Sequence, residues 1–175
     1  MIDRTITSAE QRFGVPDCMA YLRKIAAHSR TAFLKFMLFM PLASHRKALP
    51  PAPYHLARIV AAQHRDCGEC VQMEINEARQ RGVSAKAIRA VLHGKAAPVP
   101  EGVSTAVAFA HAVMQQQPAG GMRHELRDHY GEEGVSELSV AIATAAFFPT
   151  IKRAMGFGET CTLPQLTVDH EESVS

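Results

Sequence analysis

The sequence predicts an all-α protein, a multi-helix bundle of about eight helices arranged in pairs. Apolar residues recur at intervals of three and four along most of the chain, and no segment alternates convincingly between apolar and polar residues. The triplet Gly-Val-Ser also occurs three times, at 82–84, 102–104 and 134–136. In each copy the glycine can end a turn, the serine can cap the next helix and the valine can pack on its fourth residue.

Residues 1–50 predict a helical pair that packs on the core within a single structural domain. The first helix is expected to begin within Gly14–Asp17, because proline and aspartate favour the first helical turn. It carries Cys18, which we expect to be a small buried residue. The second helix is capped by Ser29 or Thr31 and runs through Leu42. The segment Leu-Pro-Pro-Ala-Pro at 49–53 predicts a stiff extended connector.

Residues 51–156 predict the helical core. It opens with two helices that meet near 64–66, and further helices are expected at Ala85–His93, Thr105–Gln116 and Glu137–Met155. Met122–Tyr130 predicts a short additional helix, and Pro149 predicts a kink in the last one. The remaining residues, 157–175, are expected to form a tail in which Cys161 has no predicted partner.

The overall composition narrows the class of protein. With 175 residues, 47% of them hydrophobic and 21% charged, the chain can bury a sizeable core. A net charge of +2 and the absence of any Lys/Arg run longer than two argue against a nucleic-acid partner. The N-terminus lacks the apolar stretch of a signal peptide, and the most apolar run, 33–43, is short and interrupted by Lys35 and Pro41. We therefore expect a cytoplasmic protein with no membrane partner.

The pair Cys67 and Cys70 is the most reactive pattern in the chain. Asp66 and Glu69 fit a capping box, so a helix is expected to begin at Cys67 with both sulfurs in its first turn. The free N–H groups and the dipole there lower the pKa of a thiol, while the two flanking carboxylates oppose that shift. In a reducing compartment, a Cys-x-x-Cys pattern is typical of redox or metal chemistry.

His55 and Glu74 lie at similar depths if the two helices of this hairpin fold back on each other. Glu74 follows Cys70 by four residues and therefore shares its helical face. The spacing makes a chain of Cys70, Glu74 and His55 possible, as thiol, acid/base group and orienting partner. If the helices splay apart, His55 leaves this group.

Other interpretations of these residues stay open. The cysteines can be a structural pair or hold a metal with His64, His55 and Glu74, although no second Cys/His knuckle of zinc spacing follows. His55 can be bonded to backbone near a helix start, Glu74 can lie on a solvated face, and His64 can be a turn residue. The remaining histidines are expected at surface or satisfied core positions.

The hairpin, the Cys-x-x-Cys with an acid/base residue four positions later, and the element Arg-x-Arg-Gly-Val-Ser-x-x-x-Ile at 79–88 resemble the carboxymuconolactone decarboxylase family. Within it, the chain is similar to the alkylhydroperoxidase D type over roughly Phe33–Gly156. That type has a glutamate twelve residues before the first cysteine and a histidine four after the second. Here His55 and Glu74 stand at those positions, so the two residue types are exchanged.

The resemblance implies an all-helical homo-oligomer with thiol-dependent peroxidase or disulfide oxidoreductase activity. We expect no cofactor and no metal. Decarboxylation is not implied, because the decarboxylase members do not depend on this cysteine pair. The expected catalytic residues are Cys67, Cys70, Glu74 and His55, acting on a small peroxide or disulfide with a dithiol reductant. One thiolate, with Cys70 favoured, attacks and the other resolves, while Glu74 oriented by His55 moves protons.

Two further hypotheses belong to other classes. The chain can be a non-catalytic helical oligomer that binds a metal or senses oxidation through the same cysteines. It can also perform acid/base chemistry on a small organic acid without using sulfur.

Overall fold

The computed structural model describes residues 2–96 and 98–157. These residues form eight helices and no strand: α1 (Ile2–Phe13), α2 (Ala20–His28), α3 (Arg30–Ala43), α4 (Pro51–His64), α5 (Gly68–Gln80), α6 (Ala85–Leu92), α7 (Glu101–Met114) and α8 (Gly120–Ala154). The predicted all-α class is confirmed. The predicted tail, including Cys161, lies outside the described residues apart from residue 157.

Helix α4 is the centre of the larger core. Every residue from Pro53 to Ala62 is buried, so this helix is covered on all sides. Helices α5, α6, α7 and α8 pack around it. Polar residues in this stretch are therefore forced into the interior, and two of them, His55 and Arg58, become part of the cavity described below.

A second apolar cluster joins the N-terminal helices to the core. It contains Ile6, Val15, Cys18, Met19, Tyr21, Leu22 and Phe33, and it contacts Met73 of α5 and Ile151 of α8. Cys18 is fully buried, as expected, and burial raises its pKa to about 12. It lies in the turn before α2 and not on a helix.

The N-terminal half differs from expectation in three places. Helix α1 was not predicted, and α2 begins at Ala20 because Asp17 adopts φ +56°, a left-handed conformation that does not continue into a helix. The predicted extended connector is wrong, since α4 begins at Pro51; proline is well tolerated where the amide has no intrahelical partner. The cap of α3 is confirmed as Ser29, which accepts from the Ala32 N–H at 3.2 Å.

Only the first Gly-Val-Ser triplet starts a helix. Ser84 caps α6 by accepting from the Ala87 N–H at 3.2 Å. The second triplet lies in the first turn of α7, whose N-cap is Pro100. The third lies inside α8, where the break falls earlier, at Gly131, with φ +69° and ψ 176°. Glycine adopts this conformation without steric cost, so the predicted short helix does end near Tyr130.

Helix α8 is also long and apolar enough, by length and composition alone, to cross a membrane. Its most apolar 18-residue window has a mean hydropathy of 1.4, and 56% of that window is buried inside the structure. Core helices of soluble proteins share this property, so α8 gives little reason to invoke a membrane.

Glu137 of α8 anchors the loop between α3 and α4. The backbone N–H groups of Lys47, Ala48 and Leu49 donate to its carboxylate at 2.6, 2.9 and 3.0 Å. Burial alone would raise the pKa of Glu137, but these three donors hold it below its ordinary value. One carboxylate thereby satisfies three amides that precede the central helix.

Replacing Glu137 with glutamine is expected to lower the free energy of unfolding by about 1–3 kcal/mol at neutral pH, because donors lose a charged acceptor. The folded-state pKa of Glu137 lies below its unfolded value. Its stabilisation is therefore present above the unfolded pKa and is lost as pH falls through the folded pKa. Urea unfolding at several pH values should show the difference between Glu137→Gln and the native protein narrowing in acid.

The matched control is Glu133→Gln, which removes an exposed carboxylate from the same helix. If both substitutions had the same effect at every pH, the anchoring role of Glu137 would be wrong.

Candidate active site

A cavity of about 210 Å³ lies between the N-terminal helices and α4, α5 and α8. It is the meeting place of the two apolar clusters, because residues of both line it. Its polar wall contains Arg12, Cys18, Ser44, Arg46, His55, Arg58, Cys70, Glu74, Glu77, Arg81 and Lys152. Three of the four residues expected at the site, His55, Cys70 and Glu74, are on this wall.

The turn that carries the cysteines differs from the predicted capping box. Helix α4 ends at His64, Asp66 adopts φ +51°, and the N-cap of α5 is Cys67. Asp66 therefore does not cap the helix. Glu69 does not close the box either, because its carboxylate pairs with Lys152 at 3.0 Å. Both cysteines still lie at the start of one helix, as expected, but Cys67 is its N-cap and the helix begins one residue later, at Gly68.

Cys67 and Cys70 are both buried thiols, at 5% and 6% exposure, and no disulfide involves them. Cys70 is hydrogen-bonded to Cys67, and this bond, together with burial, raises the pKa of Cys70 far above its usual range. Cys70 is the member of the pair that faces the cavity.

Lys152 supplies a positive charge beside the thiols. It comes from α8, is 3% exposed, and its ammonium lies 5.8 Å from the centre of the Tyr21 ring. Burial alone would lower its pKa, but the neighbouring thiols and Glu69 raise it, so it remains protonated. In turn Lys152 lowers the pKa of Cys70, against the larger opposing effects of Cys67 and burial. Lys152 was not among the predicted site residues, although a single lysine on the apolar stripe of α8 was a usable signal.

Arg58 holds Glu74 in a bidentate pair. Its Nε and Nη2 donate to the two carboxylate oxygens at 2.8 and 2.7 Å. Its Nη1 donates to the Ala43 carbonyl at 2.9 Å and to the Thr144 hydroxyl at 3.1 Å. Burial alone would lower the pKa of Arg58, but Glu74 raises it. Arg58 was also missed, and the signal was a lone arginine within an otherwise apolar helical stretch.

The expected orientation of Glu74 by His55 is therefore wrong, because Arg58 engages both Glu74 oxygens. Neither ring nitrogen of His55 has a hydrogen-bond partner among the described residues, and the ring packs edge-on against Tyr54 with centroids 5.0 Å apart. Burial lowers the pKa of His55 to about 4, so the imidazole is neutral at pH 7.

The register of the hairpin explains this outcome. Arg58 and Glu74 are equally distant in sequence from Asp66, at the centre of the turn. By the same count the backbone of His55 is level with Glu77, roughly 10 Å along the helix axis from Cys70. His55 thus shares the cavity with the thiols but lies at its other end.

His64 takes part in a different contact. Its Nε2 lies 3.0 Å from Nδ1 of His111 in α7, and burial and the nearness of His64 lower the pKa of His111. His64 ends α4, as expected for a residue at the turn. Across the described ranges, 2–96 and 98–157, no group of three or more His, Cys, Asp or Glu side chains is arranged to hold a metal ion.

The arrangement can perform thiol chemistry. Two hydrogen-bonded thiols with one facing a cavity, and a buried ammonium beside them, can exchange a proton. They can form a disulfide with each other when a peroxide or another disulfide takes two electrons from them. Lys152 and both thiols are buried, so little solvent screens the electrostatic effect of Lys152 on the thiols.

Comparison with known proteins supports a family assignment. Residues 31–113 match the model of the carboxymuconolactone decarboxylase family. The match runs from α3 to the end of α7 and includes His55, Arg58, Cys67, Cys70 and Glu74, but not Lys152. No curated protein and no solved structure matches the chain.

The Arg58–Glu74 pair generates a stability prediction. Arg58→Met leaves a largely buried carboxylate without its partner and is expected to lower the free energy of unfolding by about 3–5 kcal/mol. The double variant Arg58→Met/Glu74→Gln should be markedly more stable than Arg58→Met alone, because the uncompensated charge is gone. Urea unfolding of the single and double variants measures this coupling.

Arg12→Met is the control, since Arg12 also pairs with a glutamate on α5, Glu77 at 3.3 Å, but its side chain is 61% exposed. It is expected to cost at most about 1 kcal/mol. If Arg12→Met and Arg58→Met lowered the free energy of unfolding equally, burial would not be the reason that the Arg58–Glu74 pair matters.

Proposed function

Residues 31–113 match the model of the carboxymuconolactone decarboxylase family, and from this match we propose that the chain is a thiol-dependent oxidoreductase of the alkylhydroperoxidase D type. It would reduce a peroxide or a small disulfide through Cys67 and Cys70. The observation that carries the proposal is the hydrogen-bonded pair of thiols with Cys70 on the wall of the cavity.

In the first step Cys70 attacks the substrate. Its sulfur takes the distal oxygen of a hydroperoxide, the O–O bond breaks, and Cys70 becomes a sulfenic acid. The thiol proton passes by way of Cys67 to the leaving alkoxide, which departs as an alcohol. Cys70 is assigned this role because a substrate in the cavity meets it first, and its hydrogen bond makes Cys67 the natural base.

In the second step Cys67 resolves the intermediate. Its thiolate attacks the sulfenic sulfur, the Cys67–Cys70 disulfide forms, and hydroxide leaves and is protonated to water. The substrate has then gained two electrons and the protein has lost two. A dithiol reductant returns them by exchange with the new disulfide. With a disulfide substrate, the same two thiols act in the same order through a mixed disulfide.

The surrounding charges have separate roles in this proposal. Lys152 stabilises the negative charge that the thiol pair carries before attack. Glu74 and His55 are not assigned proton transfer, because Arg58 engages both Glu74 oxygens and His55 lies at the far end of the cavity. They are positioning and binding groups instead of the relay that sequence spacing suggested.

The proposal includes a cytoplasmic location and a homo-oligomer. A reducing compartment would keep both thiols in their active form. Support for self-association comes from α3, where Leu34, Leu38 and Leu42 are four residues apart and are 54%, 78% and 50% exposed. Such a stripe is costly to leave in water.

Replacing either Cys67 or Cys70 with serine is expected to abolish steady-state peroxide consumption in an assay with a dithiol donor. Cys67→Ser should still form one sulfenic acid per chain, which dimedone labels, because Cys70 remains as the attacking thiol. Cys70→Ser should form none at this site. Mass spectrometry after one equivalent of peroxide distinguishes the two variants.

Cys161→Ser is the control, since it removes a thiol that has no part in the mechanism. Turnover unchanged by either serine substitution in the pair would dismiss the proposal, and labelling confined to Cys67 would reverse the order of attack.

Lys152→Met should raise the apparent pKa of the thiol pair by about one unit or more, because the thiolate loses a buried ammonium. The rate of peroxide consumption should then fall at neutral pH and recover in more alkaline solution. Lys152→Arg should keep the native profile in large part. Thiol alkylation measured across pH gives the pKa directly, and Lys86→Met, which removes an exposed lysine, is the control. A pH profile identical in Lys152→Met and the native protein would exclude this role.

A further inference from the structure

The cationic groups of the cavity are not all neutralised by carboxylates. Five cationic side chains line it, and three are paired within the described residues: Arg12 with Glu77, Arg58 with Glu74 and Lys152 with Glu69. The other two, Arg46 and Arg81, have no carboxylate partner in the described part of the chain. Arg46 donates one hydrogen bond, to the Leu49 carbonyl at 2.8 Å, and its other donors remain available.

His55 lies near these two arginines and also lacks a partner. Its side chain is 95% buried, since only 5% is exposed, and neither ring nitrogen is hydrogen-bonded. Buried polar groups are nearly always hydrogen-bonded in folded proteins, so two unmatched nitrogens on a cavity wall are available to a ligand. Arg46 donates to the Leu49 carbonyl just before α4, His55 lies in the second turn of α4, and Arg81 caps the end of α5. The start of α4 and the end of α5 are level in the hairpin, so the three side chains line the same end of the cavity.

The cavity also has an apolar part to its wall. Met19, Tyr21, Met40, Met73, Ala145 and Phe148 contribute to it. Along α5 the cavity is lined by residues three and four apart, from Cys70 through Met73, Glu74 and Glu77 to Arg81. Eleven residues separate Cys70 from Arg81, roughly 16 Å of helix. A ligand that spans this distance needs an anionic end and an apolar body.

We propose that the cavity binds an amphipathic organic monocarboxylic acid, with its carboxylate held by Arg46 and Arg81 and accepting a hydrogen bond from His55. Arginine suits a carboxylate because its planar donors match the two oxygens. The apolar body lies along the methionine and aromatic wall toward Cys70. Binding of the acid is independent of the redox chemistry; resting on the proposed function, the reducible substrate is the hydroperoxide of such an acid.

Isothermal titration calorimetry with octanoate tests the site directly. Octanoate is expected to bind at least about tenfold more tightly than octanamide, because only the acid carries the charge that Arg46 and Arg81 match. Arg81→Met and Arg46→Met should each weaken octanoate binding by about tenfold and leave octanamide unaffected. Arg123→Met, which removes an exposed arginine of α8 outside the cavity, should change neither. Equal binding of the two ligands, or octanoate binding unchanged in both arginine variants, would overturn the proposal.

The histidine gives a second and independent measurement. Octanoate should raise the pKa of His55 in an NMR titration, because a nearby carboxylate favours the imidazolium. His55→Leu should weaken octanoate binding without lowering the free energy of unfolding, since no hydrogen bond within the protein is lost. Octanoate bound equally well by His55→Leu would remove His55 from the site.

Different measurements test the proposed thiol chemistry and the proposed carboxylate site. The double variant Cys67→Ser/Cys70→Ser should bind octanoate as the native protein does. If the native protein binds octanoate but has no peroxidase activity, only the proposed function is contradicted. If it has peroxidase activity but does not bind octanoate, only the carboxylate site is contradicted.

Discussion

The bidentate pair between Arg58 and Glu74 is the contact on which the arrangement of the cavity depends. Through Arg58 it connects four helices: α4, which carries the arginine, α5 through Glu74, the end of α3 through the Ala43 carbonyl and α8 through Thr144. A guanidinium buried at the centre of a helical bundle is stable only if its donors are satisfied, and here nearly all of them are. The bond also fixes how far along α5 each residue of α4 lies.

This register divides the cavity into two ends with different chemistry. Near the turn, the thiols and the Lys152 ammonium are buried together, and the low dielectric makes their mutual effects on ionisation large. Beyond the Arg58–Glu74 pair, His55 is neutral, and the cavity is lined by Arg46 and Arg81, which have no carboxylate partner in the described part of the chain. At the first end, the Lys152 ammonium is paired with Glu69. At the second end, Arg46 and Arg81 are available to the carboxylate of the proposed ligand.

Features set by neighbouring residues were predictable from the sequence. The hairpin turn, the caps at Ser29 and Ser84 and the burial of Cys18 all follow from short-range patterns. The second and third Gly-Val-Ser triplets misled, because Pro100 starts α7 earlier and Gly131 supplies the break in α8. A Gly-Val-Ser triplet can start a helix only where no helix start, such as Pro100, or helix break, such as Gly131, comes just before it.

The site was harder to predict because its contacts join distant segments. Lys152 is more than eighty residues from the cysteines, and it takes Glu69 away from the capping box that the local sequence favoured. Likewise the spacing of His55 and Glu74 suggested a facing pair, but a third residue on the same helix reaches Glu74 first. Local spacing sets which residues share a face, and competition among them decides which bonds form.

The exchange of histidine and glutamate relative to the family pattern acquires a physical meaning from that competition. Exchanging histidine and glutamate keeps one carboxylate and one imidazole in the hairpin, but each group does not take over the contacts of the other. A carboxylate at position 74 is within reach of Arg58 and is held by it, as an imidazole would not be, because a neutral ring cannot accept two hydrogen bonds from one guanidinium. The imidazole at position 55 is then left with neither nitrogen bonded, beside Arg46 and Arg81. In the proposals made above, the exchange therefore gives position 55 a part in recognising an anion instead of in a proton relay, and the proton passes between the two cysteines themselves.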